Sequence, residues 1–419
     1  MEKFVKLLGE DNPLLQSLKR RGFDTPTEIQ EKSIPDIMQG HDVIAGASTG
    51  SGKTLAFAAG LIKNTKKEYG IQGLILTPTR ELAEQISDEL KDFSKPKNLD
   101  VISVYGGVSI GNQIKRLEYA DIVVGTPGRI LDHIGRNSID LSHVNTLVLD
   151  EADRMLDMGF REDVGKIIMN CPGKRQTMLF SATISPDITD LSSRYMKDPV
   201  EISATEYVDP TKLSQVFYDV EDNLKYSLLK HLVENEKSKL VMIFCNTRRN
   251  VDFVANNLKF MGIEAVPMHG GFTQDKRTKI LKSFHSEKVH VLVATDVAAR
   301  GLDIKEVTHI YNYDIPDNVK DYTHRIGRTA RAGKEGNVIN ILASRDYDNF
   351  RNLMKNDDFK IKRLETPYIK RARIRWMAEK RNDRNKRRNS QDHQRRNPRD
   401  RHHSSSHSRN SSYNKRPRR

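Results

Sequence analysis

Cysteine is nearly absent from this chain of 419 residues: only Cys171 and Cys245 occur. Two thiols so far apart offer neither a disulfide framework nor a cysteine-ligated zinc site, so both are expected as plain core thiols. Long apolar runs are missing as well. No stretch approaches the roughly 18 residues that a membrane helix needs, and Met1 to Leu15 carries charges where a signal peptide would be greasy. The expectation is a cytoplasmic protein with no membrane partner. What is present is ample: 37% hydrophobic residues suffice for cores of ordinary size, and the length is that of two or three domains.

The net charge of +14 is unevenly spread. Lys370 to Arg419 holds 19 Lys and Arg against 4 Asp and Glu; from the chain totals of 70 and 56, that leaves 51 against 52 elsewhere. All the positive excess is therefore in the last fifty or so residues. Rich in Arg, Asn, Ser and His and without the apolar spacing of a packed element, this tail is expected to be disordered and to bind a polyanion, RNA above all. A solvated solubility tail is the plainer alternative. His402, His403 and His407 form only a loose His-rich tract within it.

Upstream, short Val/Ile/Leu runs alternate with longer helical stretches. Asp42 to Ala45, Gly73 to Leu76, Asp100 to Tyr105, Ile122 to Val124 and Thr146 to Leu149 make a first series. Leu240 to Phe244, Glu264 to Met268, His290 to Ala294, His309 to Tyr313 and Asn337 to Leu342 make a second. Continuous apolar runs between helices predict parallel strands covered on both faces. The fold class expected is α/β, with two tandem domains that could be distant copies of one another.

Ala47-Ser48-Thr49-Gly50-Ser51-Gly52-Lys53-Thr54 lies between the first of these strands and a helical stretch. Glycines let such a loop wrap so that backbone N–H groups face phosphate oxygens at a helix N-terminus. Lys53 would reach the β- and γ-phosphates and Thr54 would hold magnesium. Val148-Leu149 runs straight into Asp150-Glu151-Ala152-Asp153, acidic residues at the carboxyl end of a strand, where ligands gather in open α/β sheets. Asp150 could bind magnesium, partly through water, and Glu151 could orient and deprotonate an attacking water. A helix N-cap is the plainer reading of that cluster. Ser181 has no neighbouring base that would make it a nucleophile.

Together these residues resemble the DEAD-box ATP-dependent RNA helicases of helicase superfamily two, prokaryotic in type and carrying a basic C-terminal tail. The resemblance runs over residues 22 to 333. Gly22-Phe23 with Pro26-Thr27-Glu28-Ile29-Gln30 is similar to the family's adenine-reading motif, which implies that Phe23, Thr25 and Gln30 bind the base and that Phe4 stacks on it. A carboxamide can accept from adenine N6 and donate to N7. Ser181-Ala182-Thr183 resembles the motif that couples hydrolysis to strand separation. Ala294 to Asp303 and His324-Arg325-Ile326-Gly327-Arg328-Thr329-Ala330-Arg331 resemble the last two large motifs. The resemblance implies that Gly301 and Asp303 bind the nucleotide, that His324 belongs to the catalytic set, and that Arg328 and Arg331 are arginine fingers. Planar guanidinium groups suit the charge that develops in phosphoryl transfer.

Pro78-Thr79-Arg80, Gly106-Gly107 and Thr126-Pro127-Gly128-Arg129 are similar to the family's RNA-contacting elements, as are Asn246-Thr247-Arg248, Gly270-Gly271, Gln274 with Arg277, and Thr295 with Asp296. Their N–H groups, hydroxyls and guanidinium groups hold phosphates rather than read bases. The fold implied is two RecA-like domains at 1–204 and 213–366, a linker at 205–212 and a basic RNA-binding tail at 367–419. The activity implied is RNA-stimulated ATP hydrolysis, with ATP and Mg2+ in the cleft, by a monomer that could meet ribonucleoprotein or ribosome-assembly proteins. A DNA helicase and a non-enzymatic RNA-annealing protein are the rival readings.

Overall fold

A computed structural model describes residues 1–47, 50–204, 213–235, 240–299, 307–330, 335–356 and 359–375. Two seven-stranded sheets carry the fold, each parallel throughout and flanked by helices. The first is built from β1 (Val43–Gly46), β2 (Gly73–Leu76), β3 (Val101–Val104), β4 (Ile122–Gly125), β5 (Thr146–Asp150), β6 (Gln176–Ser181) and β7 (Val200–Ser203). Its spatial order is β3-β4-β2-β5-β6-β1-β7. The second contains β8 (Leu213–Asp219), β9 (Val241–Phe244), β10 (Ala265–Met268), β11 (Val291–Ala294), β12 (His309–Asn312), β13 (Gly336–Leu342) and β14 (Lys362–Leu364). Its order is β10-β11-β9-β12-β13-β8-β14. Counted from their own first strands, the two orders are the same, which gives the expected internal repeat a definite topological form.

The strands are continuously apolar because both faces are covered. In β2, Leu74 and Leu76 enter one hydrophobic core of the first sheet while Ile75, pointing the other way, enters the second. The helix Lys53–Asn64 packs its Phe57 edge-on against Phe180 of β6, ring centroids 5.5 Å apart. Cys171 and Cys245 are buried free thiols, as expected. Among the described residues no helix is long and apolar enough to cross a membrane.

All ten strands read from the sequence are present to within one or two residues at their ends. Four others, β6, β7, β8 and β14, complete the sheets. The proposed linker at 205–212 lies outside the described residues, between Ser203, where β7 ends, and Leu213, where β8 begins. Residues 367–373, assigned to the tail on composition, continue the body of the second sheet: Thr366 Oγ1 donates to the Asp219 carbonyl at 2.7 Å and the Ala372 amide to Ser227 Oγ at 2.9 Å.

Candidate nucleotide site and nucleic-acid face

The glycine-rich loop leaves the carboxyl end of β1 near the middle of its sheet. Gly50 and Gly52 stand at φ 86° and 94°, left-handed values that glycine alone adopts freely, and the chain turns there into the helix that starts at Lys53. Behind it, Thr27 caps the helix Glu28–Gln39. The Thr27 amide donates to Gln30 Oε1 at 3.0 Å, Gln30 Nε2 donates to the Gly52 carbonyl at 3.0 Å, and Thr27 Oγ1 donates to the Ser51 carbonyl at 2.7 Å. Any Cβ on Gly52 would collide with Gln30 Nε2. Each end of the Gln30 carboxamide thus makes one bond inside the protein and keeps one lone pair or one N–H to spare.

Ala47, standing where glycine is commoner, is tied by its amide to the Ser181 carbonyl at 2.8 Å. Lys53 is buried, its ammonium donating to the Ala47 carbonyl at 3.2 Å and lying 3.6 Å from Asp150 Oδ1. Ser51 Oγ is buried with no hydrogen-bond partner among the described residues, an orphan polar group of the kind a phosphate oxygen satisfies. Ser48 and Thr49 lie outside the described residues.

Asp150 ends β5, and Glu151 follows at φ 53°, ψ 48°, a left-handed conformation that a non-glycine residue holds only under constraint. The Glu151 amide donates to Asp150 Oδ1 at 3.0 Å, and Arg154 Nη1 donates to Glu151 Oε2 at 2.5 Å. Burial pushes the Asp150 carboxyl up to about 6 against the pull of Lys53, with the Glu151 charge adding to the rise. Burial alone would raise Glu151 too, but Arg154, then Lys53 and Arg328, outweigh it and hold this carboxyl below the usual range. Glu151 therefore stays ionised, the form that can orient a water and accept its proton. Asp153 Oδ2 accepts from Thr183 Oγ1 at 3.2 Å, and Ser181 Oγ donates to the Thr183 carbonyl at 2.8 Å. One hydrogen-bonded path thus joins the acidic cluster to the end of β6.

The second sheet's body reaches this site. Arg328 is buried and contributes positive charge at Glu151, and Lys320 pairs with Asp157 at 2.7 Å. His324 stands in the last turn of the helix Val319–Ile326. Gly301, Asp303 and Arg331 lie outside the described residues. Phe23 is half-buried under the Arg21 guanidinium, 5.3 Å from the ring centroid, and Thr25 is exposed. Phe4 needs a correction: its ring is wholly buried in the hydrophobic core that also takes Ile75, with Leu14 and Leu18, and has no face open to a base.

The repeat governs the other face. After β2, Thr79 caps the helix Arg80–Ser94, and a Cβ on Gly107 (φ 83°), beyond β3, would collide with the Arg80 guanidinium. After β9, Thr247 caps the helix Arg248–Phe260, and a Cβ on Gly270, beyond β10, would fall 3.3 Å from Arg248 Nη2. Each sheet thus sets one arginine against a pair of glycines in loops at the carboxyl ends of its strands. Thr126 and Pro127 start the helix Pro127–Gly135 after β4; Gly128 lies in its first turn, and Arg129 donates to Gln113 Oε1 at 3.1 Å. Pro78 is buried beside Thr79. Thr295 and Asp296 follow β11 in the matching place.

Gln274 and Arg277 reach across to the first sheet's body: Gln274 Nε2 donates to Glu81 Oε1 at 3.0 Å and Arg277 Nη1 pairs with the same oxygen at 3.1 Å, while Arg277 Nη2 donates to the Ala298 carbonyl, beyond β11, at 3.5 Å. A buried carboxylate is a better partner for a buried guanidinium than open solvent.

Arg325 is the functional residue that sequence reasoning misses. It is 1% exposed and uses all five of its N–H groups: Nε and Nη2 on the two Asp296 oxygens at 2.6 and 2.7 Å, Nη2 again on Asn246 Oδ1 at 2.8 Å, and Nη1 on Asn312 Oδ1 at 3.0 Å and the Asp314 carbonyl at 2.6 Å. A signal exists, because Tyr322 and Ile326 mark the buried stripe of the same helix and a guanidinium on that stripe must be paired. Glu81 carries no such signal.

Comparison with known proteins agrees with this geometry. The profile of the DEAD/DEAH box helicases matches residues 27–191, and that of the helicase conserved C-terminal domain matches residues 224–333. The ATP-dependent RNA helicase CshA of Listeria monocytogenes serovar 1/2a is 45% identical over 371 residues, 88% of this chain and 71% of that protein. The structure of S. cerevisiae Dbp5 bound to RNA and ADP BeF3 superposes with a TM-score of 0.78 at 27% identity, covering 86% of this chain and 95% of that one. A DEAD box protein from the hyperthermophile Methanococcus jannaschii is 41% identical, with a TM-score of 0.52, over 85% of this chain and 97% of that one.

Proposed function

The chain belongs to the DEAD-box ATP-dependent RNA helicases, and from that premise we propose that it couples RNA-stimulated ATP hydrolysis to closure of two RecA-like domains, 1–204 and 213–366, around a short stretch of RNA. The observation that supports this most is the meeting of Lys53, Asp150 and Glu151 of one sheet with Arg328 of the other. Hydrolysis of a phosphoanhydride asks for an ionised group to orient water, cations around the transferring phosphoryl group, and a seat for the remaining phosphates. Glu151 takes the first part. Lys53, Arg328 and Arg331 take the second, and the amides from Ala47 to Thr54, with Ser51 Oγ, take the third. Gln30, Phe23 and Thr25 receive the adenine, and Gly301 and Asp303 the ribose.

Hard oxygen donors suit Mg2+, and the buried Asp150 with the half-buried Thr54 hydroxyl would hold it. When bound, the ion supplies positive charge to the phosphate oxygens.

Ser181, Thr183 and Asp153 carry the state of the acidic cluster to the RNA side, and His324 supports the arginine helix. RNA lies along Pro78 to Arg80, Gly106-Gly107 and Thr126 to Arg129, then along Asn246 to Arg248, Gly270-Gly271 and Thr295-Asp296. Contacts to phosphates and 2′-hydroxyls give a preference for RNA without a sequence preference. Bending one strand as the cleft closes separates a short duplex locally and without processive travel. The protein acts in this reading as a cytoplasmic monomer, with the basic arm as an additional RNA contact.

The test compares ATP turnover with single-stranded RNA, with DNA of the same sequence, and with neither. RNA should stimulate strongly and DNA weakly. Glu151→Gln should keep ATP and RNA binding within a small factor while turnover falls by about 10²- to 10⁴-fold, the usual contribution of a positioned base. Equal stimulation by DNA would transfer the reading to a DNA translocase. Turnover by the Gln variant at the parent rate would remove Glu151 as the base.

A further inference from the structure

Phe272 follows Gly270-Gly271 directly, in the loop between β10 and the helix Gln274–His285. In the first sheet's repeat the residue after Gly106-Gly107 is Val108, an aliphatic side chain packed against the core. The second repeat puts an aromatic ring there instead, half-buried and held between two different groups. On one side lies the imidazole of His269, with ring centroids 4.2 Å apart and planes tilted by 37°. His269 is itself fixed: it is buried, its Nδ1 accepts from the Gly271 amide at 3.1 Å, and its Nε2 lies 3.1 Å from Asp252 Oδ1. The other side carries the ammonium of Lys276, 3.5 Å from the ring centroid, on an exposed side chain.

We propose that Phe272 is a stacking platform for one unstacked nucleobase of the bound single-stranded RNA, with Lys276 as a gate that leaves the ring for a phosphate when RNA arrives. The proposal rests on the RNA track assigned above and adds a base contact to what is otherwise a set of backbone contacts. The relative strengths support the exchange. A cation over a ring at an exposed site is among the weaker contacts, because water competes for the ammonium. A base stacked on an aromatic side chain is worth more, and the displaced ammonium regains a partner in the phosphate of the incoming strand.

The rigid backing matters as much as the ring. With His269 pinned from two sides, Phe272 need not be ordered when a base lands on it, which lowers the cost of binding. The diglycine beside it leaves the loop without side chains that would shield the platform. The Gly271 amide is already used by His269, so this loop offers a ring where a phosphate-binding loop would offer that N–H. Because every base has a π-face, such a contact holds RNA without reading its sequence. The ligand class is thus any single-stranded RNA segment with one base free to turn out of the strand.

The experiment uses the full chain with magnesium and a non-hydrolysable ATP analogue. A set of RNA oligomers, each with a single 5-iodouridine at a different position, is irradiated on the protein, and crosslinked peptides are identified by mass spectrometry. One position should crosslink at Phe272. Phe272→Leu should abolish that crosslink and weaken RNA binding by about 5- to 20-fold, leaving the Kd for ATP measured without RNA unchanged. Phe272→Tyr should retain both the crosslink and the affinity. The crosslink on the parent protein is read independently of how well the Leu variant folds. RNA binding at parent affinity by Phe272→Leu, or crosslinks that map only elsewhere, overturns the platform while leaving the helicase reading intact. Failure of the parent protein to bind any RNA overturns both.

Discussion

Arg325 shows how much of this protein depends on one buried guanidinium. Its five donors leave nothing unsatisfied, and both Asp296 and Asn246, which the proposed function places on RNA, are oriented by it. Three residues further on stands Arg328 at the acidic cluster, so a single helix end carries groups that face both sites. Lysine keeps the charge but not the planar fork, and it can satisfy about half of these acceptors. Arg325→Lys should therefore cost about 2 to 4 kcal/mol of stability, below the full cost of leaving a buried ion unpaired. The KM for RNA should rise more than the KM for ATP. Thermal melting and a two-substrate kinetic titration check both statements, and an equal rise in the two constants would make Arg325 purely structural. The Tyr322 and Ile326 stripe is its one signal in the sequence and is easily passed over, because arginines in a helix are usually solvated and the burial that makes this one different is set by β9, β11 and β12, which arrive from elsewhere in the chain.

At the level of elements, the strands recovered from sequence are those whose apolar runs are covered on both faces, such as Gly73–Leu76 and Ile122–Gly125. β7 and β8 are only partly buried, and β14, Lys-Arg-Leu, lies exposed at a sheet edge; no long hydrophobic run marks such strands. β6 has a legible Met-Leu-Phe core, although the motifs draw attention only to the serine at its end. Site motifs are legible because phosphate chemistry fixes residue types at short spacings, as in Gly50 to Thr54. Contacts between elements far apart in sequence are not. The Glu81 contact is the clearest case. It joins the helix Arg80–Ser94 to the helix Gln274–His285 through Gln274 and Arg277, with Thr278 Oγ1 3.5 Å from Glu84 Oε2 beside it. Glu81→Ala leaves the Arg277 guanidinium buried without its carboxylate, a loss of about 2 to 5 kcal/mol when such a pair is broken from one side. The variant should lower the population in which the two bodies touch, read by a fluorophore pair with one dye on each, and lower RNA-stimulated turnover in parallel. Adding Arg277→Met should recover part of both, since two apolar groups leave no stranded charge. No recovery in the double variant would mean that Glu81 acts on something other than Arg277.

On the scale of the whole molecule, the proposed function divides the work of holding RNA between the near-neutral body and the basic arm. The body carries 51 basic and 52 acidic residues up to Tyr368-Ile369, and the nineteen basic residues beyond begin on the fixed segment that ends near Arg373. Truncation after Arg373 keeps the Ala372 hydrogen bond to Ser227 and removes 16 of those 19. It touches none of the residues assigned to ATP. A basic arm tethered to the body meets RNA already held there at high effective concentration, so it should lengthen residence on long RNA more than on oligomers too short to reach both sites. Its contribution in this reading would be released counterions, and every single-strand phosphate that the arm no longer neutralises should reduce the slope of log affinity against log salt by about 0.7. Full-length and truncated proteins are compared by salt titration of RNA affinity, with the maximal ATPase rate recorded in parallel. The truncated protein should bind long RNA more weakly with a shallower salt slope, while its turnover at saturating RNA stays at the parent value. An identical slope would mean that the arm does not touch RNA, and a collapsed maximal rate would place it in the catalytic machinery.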